Sequence, residues 1–153
     1  MLNLLGEYDC KLDAKGRMML PKSLAKQMEE SLHEGFVINR DVFSKAFVIY
    51  PWSVWQELSA EVNKLNKFVK KNVQFIRKFH SGATKVELDG QGRMLLPSAL
   101  VTDAGLGKDV KLNALTDRIE LWSKADYEAM LNEDFDMETL AEEVMGGIDP
   151  EKD

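Results

Sequence analysis

One thirteen-residue segment occurs twice in this chain, and that repeat constrains the fold more than any other feature. Residues 12–24 read L-D-A-K-G-R-M-M-L-P-K-S-L, and residues 88–100 read L-D-G-Q-G-R-M-L-L-P-S-A-L. Eight of the thirteen positions are identical at an offset of 76, which gives the frame L-D-x-x-G-R-M-x-L-P-x-x-L. One supersecondary unit is therefore used twice. The likeness continues more weakly. Phe36-Val37-Ile38-Asn39 and Phe47-Val48-Ile49-Tyr50 follow the first copy; Val110-Lys111-Leu112-Asn113 and Arg118-Ile119-Glu120-Leu121 follow the second. Trp52-Ser53 and Trp122-Ser123 come next, at an offset that has drifted to about 71, so the second copy has shorter loops.

Each half predicts strand, turn, strand, short helix, strand, strand, helix. Tyr8, Cys10 and Leu12 alternate with polar residues, as do Val86 and Leu88, the period of a half-buried strand. Asp-x-x-Gly is turn chemistry: the carboxylate accepts from backbone N–H groups two or more residues on, and glycine tolerates positive φ. The two form hairpins with the apolar return strands Arg-Met-Met-Leu and Arg-Met-Leu-Leu. Pro21 and Pro97 suit the first turn of short helices near 22–30 and 98–104, with Gly35, Gly105 and Gly107 as stops. Ser53-x-x-Gln56 and Ser123-x-x-Asp126 read as capping boxes.

Between the copies, Trp55, Leu58, Val62, Leu65, Val69, Val73, Ile76 and Phe79 recur at helical spacing, with lysines opposite. This connector is one or two helices, with Asn63, Asn66 and Asn72 as places for a break. Its basic face is read first as a solvated face. The expected organisation is a first repeat at 5–53, a helical connector at 54–82, a second repeat at 83–126, and an acidic helix and fraying tail at 127–153.

Charge is unevenly placed. The net charge is −6, yet residues 125–153 hold eleven acids and one base, whereas residues 1–124 hold nineteen Lys and Arg against fifteen acids. The body is mildly basic, which leaves nucleic acid open as a partner. A composition of 44% hydrophobic and 30% charged residues fits a soluble globular chain. One cysteine, Cys10, and two distant histidines, His33 and His80, offer neither an internal disulfide nor a structural zinc site. No apolar run reaches the roughly 18 residues of a membrane span. The first residues lack a basic n-region and a long apolar stretch, so no signal peptide is expected, and the chain is placed in the cytoplasm.

The doubled L-D-x-x-G-R-x-x-L-P motif, Leu5-Gly6-Glu7-Tyr8 before it and Tyr50-Pro51-x-x-x-Trp55 after it resemble the MraZ family across roughly residues 5–130. That resemblance implies an α+β fold of two tandem AbrB-like swapped-hairpin β-barrel repeats with flanking helices. It implies a nucleoid-associated transcriptional regulator of the bacterial division and cell-wall gene cluster. Its partners would be double-stranded DNA, as repeated boxes upstream of its own operon, and further copies of itself in a homo-oligomeric ring. It also places DNA contact on the D-x-x-x-R signature, here Asp13 to Arg17 and Asp89 to Arg93.

The residue types suit that chemistry on their own terms. Arg17 and Arg93 carry planar forks that can clamp a phosphate or read guanine O6 and N7. Asp13 and Asp89 repel phosphate, so their expected work is to brace the turn and orient the arginine. Gly16 and Gly92 let the backbone turn and approach closely. Lys15 makes the first tip more basic than the second, where Gln91 replaces it, so the first is expected to dominate affinity.

An enzyme is disfavoured: there is no G-x-S-x-G, H-E-x-x-H or C-x-x-C, and Gly105-Leu106-Gly107-Lys108 lacks the frame of a phosphate loop. No catalytic residue, metal or cofactor is assigned. The alternative is a non-catalytic oligomeric adaptor or assembly protein that does not bind DNA. Exposed strand edges could assemble it, and Trp52, Trp55, Trp122, Phe75 and Phe79 could anchor it, although most of these aromatics are expected in the core.

Overall fold

The computed structural model describes residues 2–146. Each half contributes four strands. The first half has β1 (Leu4–Lys11), β2 (Arg17–Met19), β3 (Phe36–Arg40) and β4 (Phe47–Pro51); the second has β5 (Thr84–Val86), β6 (Arg93–Leu95), β7 (Asp109–Thr116) and β8 (Arg118–Ser123). Six α-helices accompany them: α1 (Lys22–Gln27), α2 (Trp52–Asn63), α3 (Lys70–His80), α4 (Ser98–Asp103), α5 (Lys124–Leu131) and α6 (Met137–Met145). The fold is α+β with antiparallel sheets.

The halves are interlocked. The main sheet has the order β1-β7-β8-β4-β3-β5, and β2 pairs with β6 in a separate two-stranded ribbon. Each half thus lends its first strand to the other: β1 runs beside β7 from Leu4↔Thr116 to Lys11↔Asp109, and β5 runs beside β3 from Phe36↔Val86 to Ile38↔Thr84. A pseudo-twofold passes between β4 and β8 and between Met18 and Met94, which face each other at the middle of the ribbon. The six-stranded ladder is open at β1 and β5.

Pleat explains the layers. On one face of the sheet, Phe36, Ile38, Phe47, Ile49, Leu112 and Leu121 are buried against Met18 and Met94 of the ribbon, Leu24 of α1 and Leu100 of α4. On the other face, Val37, Val48 and Tyr50 are covered by Trp55 of α2 and by Phe79 of α3, while Trp122 packs on Tyr127 of α5. Strands covered on both faces read as continuous apolar runs, which is why Phe36–Ile38 and Phe47–Tyr50 do not alternate.

Several local expectations need correction. The two turns are not long hairpins: Leu12↔Met18 and Leu88↔Met94 are single bridges, because β1 and β5 take their ladders from the opposite half. Helix α1 stops at Gln27, three residues short of the expected end, and Met28 turns into the core. Ser53 is no cap. Helix α2 starts at Trp52, directly after Pro51, and the Trp52 amide donates instead to the Gly35 carbonyl at 3.1 Å. Ser123 does cap α5, accepting from the Asp126 amide at 3.1 Å. The connector is two helices, broken where Asn66 Oδ1 accepts from the Phe68 amide at 3.0 Å and Asn72 Nδ2 donates to the Asn66 carbonyl at 3.1 Å. The closing stretch expected to fray lies, from residue 147 on, outside the described residues. Among the described residues no helix is long and apolar enough to cross a membrane.

Candidate nucleic-acid interface

The two repeated motifs fold into the same device. In the first, Asp13 Oδ1 accepts from the Lys15 amide at 2.9 Å and the Arg17 amide at 2.8 Å, while Oδ2 accepts from Arg17 Nε at 2.7 Å. In the second, Asp89 Oδ1 accepts from the Gln91 and Arg93 amides, both at 2.9 Å, and Oδ2 from Arg93 Nε at 2.9 Å. The backbone closes each turn the same way, Gly16 N–H to the Asp13 carbonyl and Gly92 N–H to the Asp89 carbonyl, both at 3.0 Å. Gly16 and Gly92 sit at φ +79° and +80°, in the left-handed region that a side chain disfavours. A one-carbon-longer Glu would overreach the near amides, and Asn would offer no charge to the guanidinium.

Each carboxylate is spent entirely on its own turn. Backbone donation from Arg17 holds the Asp13 carboxyl below its ordinary range, and the guanidinium adds to this; Asp89 is lowered in the same way by Arg93. Both acids therefore remain ionised and fix their arginines by Nε alone. Among the described residues the terminal guanidinium nitrogens of Arg17 and Arg93 have no hydrogen-bond partner. They are the donors left for a ligand.

The ribbon places the two devices together. Arg17 stands opposite Leu95 and Met19 opposite Arg93. Met18 and Met94 point inward, so Arg17, Met19, Arg93 and Leu95 share the outer face, with Met19 48% and Leu95 57% exposed. The turns flank this face at opposite ends, each tied to the other copy: Leu96 N–H donates to the Gly16 carbonyl at 3.0 Å and Leu20 N–H to the Gly92 carbonyl at 3.1 Å. Four residue steps along β2, from Gly16 to Leu20 beside Gly92, separate the two turns, which is about 13 Å of ribbon. Lys15 is exposed at the tip of the first turn, and Gln91 occupies the corresponding place in the second.

Met19 and Leu95 escape a reading of the sequence. Arg-Met-Met-Leu looks uniformly apolar, and only the burial of Met18 shows which alternate residues face out. His33 and His80 lie far from the ribbon in sequence, and His80 is used structurally, edge-on to Trp55 at 5.8 Å and to Phe79 at 5.3 Å.

The chain as a whole has counterparts among known proteins. The family model described as "MraZ protein" matches this chain twice, over residues 3–78 and 79–146. The chain belongs to the MraZ family. It is 42% identical over 153 residues to the "Transcriptional regulator MraZ" of Flavobacterium psychrophilum, covering 99% of this chain and 98% of that protein. It is 45% identical over 150 residues to the protein of the same name from Christiangramia forsetii, with 97% of each covered. A third, from Phocaeicola vulgatus, is 36% identical over 148 residues, with 95% of each covered. In this MraZ-family chain the boundary between the two matched segments falls inside α3, so the strand exchange joins the two family units across the whole sheet.

Proposed function

We propose that this chain is a sequence-specific, duplex-DNA-binding transcriptional regulator that grips DNA through the outer face of the β2–β6 ribbon. The observation that carries the reading is the pair of braced turns related by a pseudo-twofold, each presenting a guanidinium fork with its terminal nitrogens unspent. A two-stranded ribbon fits the major groove, which is about 12 Å wide, and its twofold matches that of a duplex. Arg17 and Arg93 supply base or phosphate contacts, Lys15 adds a phosphate contact, and Asp13, Asp89, Gly16 and Gly92 hold the forks in place. The relatives' name, transcriptional regulator, supports a regulatory role.

The same reading extends to architecture. With β1 and β5 exchanged and the ribbon folded over one face, the two repeats together correspond to one AbrB-like swapped-hairpin unit whose two halves are supplied by one chain. The organisation read from sequence then applies: repeats at 5–53 and 83–126, the connector at 54–82 and the acidic end at 127–153. The chain acts in the cytoplasm at the nucleoid, on repeated boxes upstream of its own operon in the division and cell-wall cluster. Self-assembly follows from the energetics. One such ribbon is a weak ligand, with non-specific dissociation constants near about 10⁻⁴–10⁻⁶ M. A ring that sets several ribbons on spaced boxes gains about 10²–10⁴ in avidity.

Binding of a labelled duplex from upstream of the operon, followed by anisotropy, tests the reading. Arg17→Ala should weaken specific binding by about 1–3 kcal/mol, and Lys15→Ala should weaken binding to all sequences and reduce the salt slope by about one. Equal affinity of the wild type and the Arg17→Ala, Arg93→Ala double variant sinks the interface.

A further inference from the structure

The outer face of the β2–β6 ribbon carries two side chains that the DNA contacts proposed above leave unused. Met19 and Leu95 point outward from Arg-Met-Met and Arg-Met-Leu, and both are exposed, while Met18 and Met94 beside them are fully buried. Outward positions of a ribbon that meets only water ordinarily take polar residues. Here the same position of both copies is apolar, a methionine in the first and a leucine in the second. The helices that follow the two strands turn Leu24 and Leu100 into the core and leave Met19 and Leu95 exposed.

The register sets what stands next to them. Leu95 lies directly opposite Arg17 and Met19 directly opposite Arg93, so the two forks occupy one diagonal of the face and the two apolar side chains the other. Met19 Sδ lies 3.7 Å from the place a Cβ on Gly92 would take, so this side chain leans on the second turn, beside the fork that Asp89 fixes. Side chains directly opposite one another stand about 5 Å apart, and successive bases of a strand about 3.4 Å apart. An apolar side chain and the fork opposite it therefore reach neighbouring base pairs. Guanidinium nitrogens without partners at two corners of the face call for an anionic ligand; an apolar protein surface laid over the centre would bury those charges unpaired. In the major groove, thymine is the base that offers an apolar group at its edge, the C5-methyl. We propose that Met19 and Leu95 are specificity-determining residues that each pack on a thymine methyl. The chain then selects two thymines on opposite strands of the duplex, each beside a position that the neighbouring fork contacts. This rests on the duplex-DNA reading above and adds a source of sequence choice that phosphate contacts lack.

Deoxyuridine in place of thymidine removes the methyl and keeps the hydrogen-bonding groups of the base, so it isolates this contact. In the labelled duplex from upstream of the operon, each thymidine of the bound segment is replaced in turn, and the affinity of the full-length chain is read by anisotropy. For the wild type, two positions related by the twofold should each lose about fourfold in affinity, the scale of one buried methyl group. Met19→Ala should become indifferent to the methyl at one of them and Leu95→Ala at the other, while Met19→Leu, which copies Leu95, should still discriminate. A ribbon merely distorted by truncation would weaken both duplexes alike and leave their ratio unchanged. The salt slope should stay at its wild-type value, because no phosphate contact is lost. Wild-type binding that Arg17→Ala weakens, with every deoxyuridine duplex held as tightly as its thymidine parent, overturns this inference and leaves the DNA reading standing. A methyl effect that persists in both alanine variants does the same. A Met19→Ala, Leu95→Ala double variant that keeps its duplex affinity but falls in mass by light scattering assigns the pair to contact between copies and equally overturns it. Failure of the wild type to bind the duplex at all overturns the DNA reading and this inference together.

Discussion

At the scale of single residues, the chain spends an aspartate to aim an arginine, twice. The carboxylates of Asp13 and Asp89 take two backbone N–H groups and one Nε each, a division of labour that Asn reproduces only in part. Asp13→Asn should leave a folded protein, since the amide oxygen still accepts from the backbone, but it removes the charge that holds Arg17 and should impair DNA binding. If Asp13→Asn binds DNA normally while Asp13→Ala unfolds, Asp13 is a turn brace and nothing else. The pH dependence has a definite sign. Both carboxyls lie below their ordinary 3.8 when folded, so their contribution is complete above that value and is lost only as pH falls through the lowered folded-state values. An NMR titration of the two side chains should show no inflection between neutral pH and 3.8. Gly16, at φ +79°, has only the Leu96 carbonyl near a prospective Cβ, at 3.7 Å, so a substitution there meets backbone strain rather than a clash. Gly16→Ala should cost about 1–2 kcal/mol in chemical denaturation.

At the scale of elements, equal sequence does not mean equal use. Asn39 of β3 and Asn113 of β7 are repeat counterparts. Asn39 is buried at 2% exposure and donates to the last turn of α3, whereas Asn113 Nδ2 reaches Glu120 at a long 3.4 Å. Asn39→Ala should therefore cost about 1–3 kcal/mol by leaving the Phe79 carbonyl without its donor, and Asn113→Ala much less. Hydrogen exchange should localise the Asn39→Ala loss to α3. Protection of α3 that matches the wild type would show that the Trp55–Phe79 stack alone anchors the helix. Helix periodicity runs on through Leu65 and Val69, which the turn at Asn66 leaves exposed between the two helices. The break belongs to the side chain-to-backbone bonds of the turn.

At the scale of the molecule, the exchanged strands make the halves interdependent. Strand β1 has its whole ladder on β7, and β5 has its ladder on β3. Residues 1–82 and 83–153 expressed separately should each lack the cooperative unfolding transition that the full chain shows, and mixing them should restore it; two independent transitions would mean that each half folds on its own. Met18 and Met94, both fully buried where the halves meet, should each cost about 2–5 kcal/mol on change to Ala, with the double variant non-additive because the two truncations empty adjoining space. The order of elements in each half, the Asp-x-x-Gly turns and the basic forks are legible in the chain because they depend on residues within a few positions of one another: alternation, a capping carboxylate, a glycine at positive φ. Sequence also separates a basic body from an acidic end. It does not say that β1 leaves its own turn to join β7, that β2 and β6 bring the two motifs onto one face with Met19 and Leu95 between the arginines, or that Ser123 caps a helix while Ser53 does not. Those outcomes are settled by which apolar faces can be buried together, and burial is a property of the assembled sheet that no local pattern encodes.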